Sequence, residues 1–415
     1  MFEIKGKNTN AKIMIDNVEE SCISQIYQMV NHEAFTNQVV IMPDCHSGKG
    51  SVIGFTMPIG DKVIPNVVGV DLSCGMLSYN VGKINIDHEN IDQKIREMIP
   101  FGININKKGK IRLNKNVQDL CRRINVDFEY VVKSLGTVGS GNHFIEIGRS
   151  QQTDNIWVTV HSGSRHLGKK VCEYWQEIAC KKDYKDPKEV LKEIKELYSK
   201  NEWEIRIKKY KEEVKKLIPS ELDYLEGKNK DGYIEDMKYC YEYAQVNRLL
   251  IMSEILNILN NPSVEESIET VHNYIDFKDN IIRKGAIRSY IGEKIIIPFN
   301  MRDGILICEG KSNSEWNYSA PHGAGRVLSR SKAKEVLNIE EFKMEMENIF
   351  STSINYGTID ESPMAYKDSS IIEKAIEPTC KILDRIKPIH NLKDCSDEKP
   401  WMKRKIIDER KKNIF

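Results

Sequence analysis

Hydrophobic and polar positions divide the chain into regimes. Over residues 1–180, short β-branched runs alternate with Gly, Pro and Asp, as in VVIMPDCHSGKGSVIGFTMPIG (39–60), VIPNVVGVDLSCGMLSYNVG (63–82) and IWVTVHSGSRHLG (156–168). Such runs predict strands separated by tight turns. The pattern changes at about 183–260. DPKEVLKEIKELYSKNEWEIRIKKYKEEVKKL (186–217) spaces its apolar residues helically among Lys and Glu, with Asp186-Pro187 as a start signal. Acids there balance bases, which predicts a solvated helix face. Residues 270–330 return to strand-like text, including EKIIIPFNMRDGILICEGK (293–311). The last 45 residues are expected to be helical before the basic end KPWMKRKIIDERKKNIF. Strands and helices in separate blocks predict an α+β fold.

Composition narrows the class. A chain of 415 residues, 40% hydrophobic and 30% charged, describes a soluble globular protein with a sizeable core. A formal charge of +1 excludes a globally basic nucleic-acid coat but not a local basic cleft. The opening MFEIKGKNTNAKIMI lacks an apolar leader, and no run of about 18 apolar residues occurs, so a cytoplasmic location is expected. The ten cysteines include no CxxC pair, which fits neither a zinc ribbon nor a disulfide scaffold.

Candidate chemistry gathers beside glycines and at the ends of apolar runs. In GVDLSCGM, Asp71 and Cys74 offer a carboxylate and a thiol three residues apart. His143 follows a glycine-rich entry in GTVGSGNHFIEIG, where strand alternation would set His143 and Ile145 against Asn142, Phe144 and Glu146. His161 ends a β-branched run and opens into Ser-Gly-Ser-Arg, with Arg165 as a phosphate candidate; His272 lies in VHNYID. Each alone reads as an ordinary turn or core residue. Together, a mixed O, S and N donor set suits zinc, manganese or iron better than magnesium or calcium. In SAPHGAGRVLSR (319–330), His322 adjoins a backbone stripped of side chains and flanked by Arg326 and Arg330. Glycine amides cradle anionic oxygens and arginines fork onto phosphate.

These segments resemble the RtcB-type RNA-splicing ligase family. The resemblance is carried in order by MPDCHSGKGSVIG (42–54), GVDLSCGM (69–76), GTVGSGNHFIEI (136–147), VHSGSRHLG (160–168), AQVNR (244–248), HNYID (272–276), RKGAI (283–287), IIIPFNMRDG (295–304) and PHGAGRVLSR (321–330). It implies one large catalytic domain over 1–393, with antiparallel and mixed sheets around a central metal cleft, a helical insertion at about 183–260, and a basic extension over 394–415. It implies a GTP- and manganese-dependent enzyme that joins RNA 3′-phosphate or 2′,3′-cyclic phosphate ends to 5′-hydroxyl ends, in RNA repair or tRNA splicing. A guanylated histidine and an RNA-ppG intermediate would carry the reaction.

Asp71, Cys74, His143, His161 and His272 would hold a manganese pair, with Cys74 shared, and His322 would take the guanylyl group. Nucleotide contacts would come from Asn142, His143, Phe144, Ile145, Glu146, His272, Asn273, Pro298, Phe299, Asn300, Met301, His322, Gly323, Ala324, Gly325 and Lys393. Asp44 is expected to fix the His322 tautomer. Arg165 and Arg326 would grip RNA termini, with Lys49 and Arg330 as further candidates. The resemblance is compatible with an activating protein partner and implies no membrane association. Departures are a glycine-poor FNMRDG loop, Ile305 where other members carry serine, and a chain that continues past Lys393. The alternative is a metal-dependent RNA-end phosphoesterase that retains the cleft without ligating; an RNA-end-binding accessory protein is the non-enzymatic reading.

Overall fold

The computed structural model describes residues 1–181, 187–216 and 220–395. Two large sheets dominate a mixed α+β architecture. The first runs, in spatial order, Phe2–Lys5, Asn10–Ile13, Val39–His46, Ile53–Pro58, Ile281–Lys284 and Tyr274–Ile275. Its pairings are antiparallel except for Asn10–Ile13 beside Val39–His46. The second is antiparallel throughout: Glu266–Val271, Gly75–Asn80, Ile156–Ser162, Phe144–Ser150, Cys380–Leu392, Ile305–Gly310 and Lys294–Pro298. Its two edge strands pack on each other and Lys294 pairs with Glu266 across the gap. The sheet therefore curls into a near-closed barrel, which hides its edges.

Alternation along these strands decides what faces what. Ile145, Ile147, Val158 and Val160 point outward and pack on Ile251, Met252 and Ile255 of the helix Gly227–Ile258. Met76, Phe144 and Trp157 point inward with Ile296, Ile305 and Ile307. Phe144 and Met76 both stand opposite His161 in the ladder, so the inward face of neighbouring strands carries the histidine to one barrel mouth.

The helix Gly227–Ile258 also clamps the loops at that mouth. Arg248 is fully buried; its Nη1 donates to the carbonyls of Ser73 at 3.1 Å and Ser162 at 2.9 Å, while Nε and Nη2 meet Glu269 at 3.0 and 2.8 Å. Next to it, Asn247 accepts from the Gly136 and Thr137 amides at 2.7 and 3.2 Å and donates to Ser162 Oγ at 2.9 Å. One helical turn thus gathers loops from four places in the chain.

Three sequence expectations need correction. The run at 63–70 is not an extended strand: only Lys62–Val63 pairs, and Pro65–Val68 is a short helix. Pro65 sits in its first turn, where a missing N–H costs nothing, and all four residues are buried, which removed any periodicity. The last 45 residues are not uniformly helical. Ser369–Ala375 is a helix, but Cys380–Leu392 is a thirteen-residue strand in the middle of the barrel sheet. Its Pro388 lies where the register shifts before His390, a bulge that accommodates a residue unable to donate to the ladder. Nor are the blocks clean. Helices Glu20–Val30, His88–Met98, Lys115–Arg123 and Phe128–Ser134 interrupt the first regime, and the helical stretch begins already at Arg165–Lys181. The basic extension beyond Cys395 lies outside the described residues. Among the described residues, no helix is long and apolar enough to cross a membrane.

Replacing Arg248 by Met should leave Glu269 and two carbonyls without their partner and lower the unfolding free energy by about 3 kcal/mol. Urea denaturation checks this; a loss below about 1 kcal/mol would mean the clamp is dispensable.

Candidate metal and nucleotide site

Five donor residues meet at the barrel mouth. Asp71 and Cys74 stand in a turn closed by the Cys74 amide on the Asp71 carbonyl, with Ser73 at φ 59°. His143 ends the loop before Phe144–Ser150, His161 closes Ile156–Ser162, and His272 follows Glu266–Val271. Cys74 Sγ lies 3.3 Å from His143 Nε2 and 3.2 Å from His161 Nε2. His161 Nε2 is 3.3 Å from His272 Nε2, and His143 Nε2 is 3.0 Å from Asp71 Oδ2.

Tautomers follow from the outer nitrogens. His143 Nδ1 lies 2.9 Å from the Val138 carbonyl and His161 Nδ1 lies 3.1 Å from the Asn142 carbonyl. A carbonyl only accepts, so Nδ1 carries the proton; the Nε2 lone pair of His161 turns inward, while Nε2 of His143 meets the Asp71 carboxylate, with which it shares a proton or a cation. Burial, then neighbouring histidine charge, holds His161 and His272 well below the usual imidazole range. Burial, followed by the Asp71 carboxylate, pushes the Cys74 thiol well above its ordinary value. Burial alone would raise Asp71, but the His143 hydrogen bond and charge, with Arg165, hold it below the usual carboxylate range.

Ring nitrogens, a carboxylate and a sulfur converging within hydrogen-bond distance in a buried site require a proton or a cation among them. The ligand atoms fall into two groups, Cys74 with His161 and His272, and Asp71 with Cys74 and His143. Within each group they lie within 4.8 Å of one another, and Cys74 belongs to both. These residues fit a transition-metal site.

His322 adjoins this cluster, its ring centroid 4.8 Å from that of His272. It leaves the short strand Ser319–Pro321, which pairs with Ala286–Arg288. Its Nδ1 is 2.7 Å from Oδ2 of Asp44, which is fully buried in Val39–His46. The other nitrogen, Nε2, is left for the pocket. Gly325, at φ +74°, packs so closely that a Cβ would stand 2.2 Å from the Asp44 carbonyl oxygen, so this glycine lets the two segments meet.

A pocket opens over His322, lined by Asn142, Phe144, Glu146, His161, Pro298, Phe299, Asn300, Met301, Gly323, Ala324, Gly325 and Lys393. Most expected nucleotide contacts therefore surround one space. Four do not line it: His143 and His272 stand in the metal cluster, Ile145 points into the outer core, and Asn273 is spent on bracing loops. Asn273 donates to the Asp71 carbonyl and accepts from the Gly285 amide.

The cations divide. Lys393 is buried, with Nζ 2.9 Å from Glu361 and 5.2 Å from the Phe144 ring centre. Arg326 lines the pocket, but its guanidinium is occupied by Glu361, the Asp360 and Leu328 carbonyls and the Tyr366 ring. Arg330 also pairs with Asp360 and Glu361. Arg165 stands outside the pocket with Nη1 3.4 Å from His143 Nδ1, and Lys49 is exposed on its loop.

Sequence reasoning missed His46, Glu361, Tyr366 and Asn391, which also line the pocket. His46 was visible in MPDCH without a role; its Nδ1 donates to the Asp44 carbonyl at 3.1 Å, and burial lowers it to about 4. Glu361 gave no signal, because only tertiary contact makes it the partner of three cations. Burial would raise its carboxyl, yet Lys393, Arg330 and Arg326 hold it at about 2.

Comparison with known proteins agrees with this geometry. The family model "tRNA-splicing ligase RtcB" matches residues 25–134 and 124–394. The chain belongs to the RtcB family. It is 26% identical to the RNA-splicing ligase RtcB of Escherichia coli, an alignment covering 90% of this chain and 94% of that protein. It is 25% identical to the tRNA-splicing ligase RtcB of Nanoarchaeum equitans, over 89% of this chain and 90% of that one. The Methanococcus maripaludis tRNA-splicing ligase RtcB is 23% identical, over 86% and 88%. The residues matched by the RtcB family model include the barrel strands, the clamp helix and the five donors.

Glu146 gives this RtcB site a pH signature. Burial, only partly offset by Asn391 and Lys393, pushes its carboxyl up to about 8. The folded state then holds a proton that the unfolded chain releases near its ordinary value, so stability falls as pH rises from about 4.5 to 8. Glu146→Gln should flatten that fall, gaining on the order of 3 kcal/mol over wild type above pH 8. Thermal melts of the metal-free protein across this range check it; parallel curves for the two proteins would refute the assignment.

Proposed function

We propose that this RNA ligase of the RtcB family joins RNA 3′-phosphate or 2′,3′-cyclic phosphate ends to 5′-hydroxyl ends, using GTP and a manganese pair. The reading rests above all on one contact, Asp44 Oδ2 to His322 Nδ1 at 2.7 Å. A carboxylate accepting from Nδ1 fixes the tautomer in which Nε2 bears the lone pair. That nitrogen then faces the pocket as a neutral nucleophile, which a hydrolase of the same cleft would not require.

In this mechanism His322 Nε2 attacks the α-phosphorus of GTP and pyrophosphate leaves. The imidazolium formed gives up charge to Asp44, and the product is a guanylyl phosphoramidate on His322. The unencumbered backbone of Gly323, Ala324 and Gly325 lets its amides approach the phosphoryl oxygens. Glu146 reaches the pocket with Oε1 unpartnered, and its carboxyl, held protonated by burial, would become an acceptor for the N–H edge of guanine once that edge replaces the proton. Phe144 and Phe299 supply apolar walls, and Lys393 supplies a cation held by Glu361. Asp71, Cys74, His143, His161 and His272 would hold the metal pair, which withdraws charge from the phosphates when bound. The guanylyl group next passes to the RNA 3′-phosphate, and attack by the 5′-hydroxyl closes the strand with release of GMP. Each transfer is chiefly a matter of position and charge.

Incubation with α-labelled GTP and Mn²⁺, followed by a denaturing gel, tests this. Wild type should retain label and His322→Ala should retain none. Asp44→Asn keeps the shape but accepts from the ring less strongly, so label should form at least about tenfold more slowly. An unlabelled wild type that still opens cyclic phosphates would replace this reading with the phosphoesterase one.

A further inference from the structure

Between Met98 and Gln118 the chain carries no acidic residue and five cations: Lys107, Lys108, Lys110, Arg112 and Lys115. In a protein of net charge +1, this is a local concentration of positive charge. The segment is ordered without being regular. The Asn106 amide donates to the Lys133 carbonyl at 3.0 Å, its side chain donates to the Leu135 carbonyl at 2.7 Å, and the Gly102 amide donates to Gly139 at 2.9 Å. It therefore forms a fixed wall on the loop that leads to Asn142 and His143.

This wall faces a groove of about 680 Å³, whose lining includes Arg96, Met98, Asn104, Lys107, Lys108 and Lys110. Lys110 is paired with Glu254 and Arg96 with Asp92. Glu97 and Asp394 are the acids of the lining. Lys107, Lys108, Arg112 and Lys115 are exposed and have no acidic partner among the described residues. Beside them Ile103 stands 85% exposed and Met98 46%.

Two links tie the wall of this groove to the candidate site. On one side Arg165 Nη2 donates to the Gly102 carbonyl at 3.4 Å, while its Nη1 lies beside His143. On the other, Asp394 and Cys395 line the groove directly after Lys393, whose Nζ is in the nucleotide pocket. Unpaired cations along a track, with apolar side chains at its edge, match a single nucleic-acid strand: phosphates meet the cations and bases meet the apolar surface. An acidic protein surface would gain nothing from these links to the site.

We infer that this groove binds the sugar-phosphate backbone of the RNA strand next to its reacting end, with Lys107 and Lys108 contacting phosphates. The inference rests on the ligase reading for the identity of its ligand, single-stranded RNA.

The test compares wild type with Lys107→Glu/Lys108→Glu in Mn²⁺ buffer. Binding of fluorescent single-stranded RNA of about 12 nucleotides is measured by anisotropy across a salt series, once with a 3′-phosphate and once with a 5′-hydroxyl and blocked 3′ end. GTP labelling is measured in parallel. The variant should label as wild type does, bind at least one RNA about tenfold more weakly at low salt, and show a log–log salt slope shallower by about 1 to 2. The RNA whose affinity falls identifies which strand occupies the groove. Unchanged affinity and slope for both RNAs overturn the inference, as does a wild type that binds neither RNA. Lost labelling in the variant also overturns it, since the lesion would then extend beyond the groove. A wild type that takes no label, with RNA binding still weakened in the variant, would sink the ligase reading and leave the groove standing.

Discussion

The buried guanidinium of Arg248 is the contact on which the site depends. It holds the carbonyl of Ser73, beside Cys74, and the carbonyl of Ser162, beside His161, while gripping Glu269 in the strand that leads to His272. Donors from three distant parts of the chain therefore have their backbones fixed by one rigid, five-donor fork. Lysine could not satisfy the same geometry, since its three protons sit on a single point. With Asn247 bracing the His143 loop from the adjacent position, helix and site form one unit.

Preorganisation continues outward by the same principle. Main-chain carbonyls at Val138 and Asn142 select the tautomers of His143 and His161, and Asp44 selects that of His322. The three rings are thus oriented with Nε2 aimed inward before any ligand arrives. The burial that makes this possible also disfavours charge on His161, His272 and Cys74, and a cation bound among them would relieve that cost. Structure and chemistry are coupled at this point: the dryness that sharpens the site also suits it to a cation.

Most of the donors were legible in the sequence because they stand beside a glycine turn or at the end of an apolar run, the place where strands of a barrel release their polar ends. His161 and the Asp71–Cys74 turn are of this kind. Three features were not legible. Pro65–Val68 is buried on every side, so no period distinguishes helix from strand. Cys380–Leu392 mixes Lys, Asp and Arg into a strand whose stretch 381–385 is left unburied, so no period of two marks it, and its proline hides in a bulge. Glu361 became meaningful only when folding brought Lys393, Arg326 and Arg330 to it. Motifs report local geometry; the partner of a buried charge is decided by tertiary structure.

That same carboxylate governs the reach of the pocket's electric field. With Lys393, Arg326 and Arg330 all drawn to Glu361, much of the rim's positive charge is neutralised where it stands, and salt screens the remainder within about 10 Å. A polyanion several nanometres off would barely feel it. Capture from solution must then fall to solvent-exposed charge elsewhere on the surface, leaving the interior to discriminate at close range.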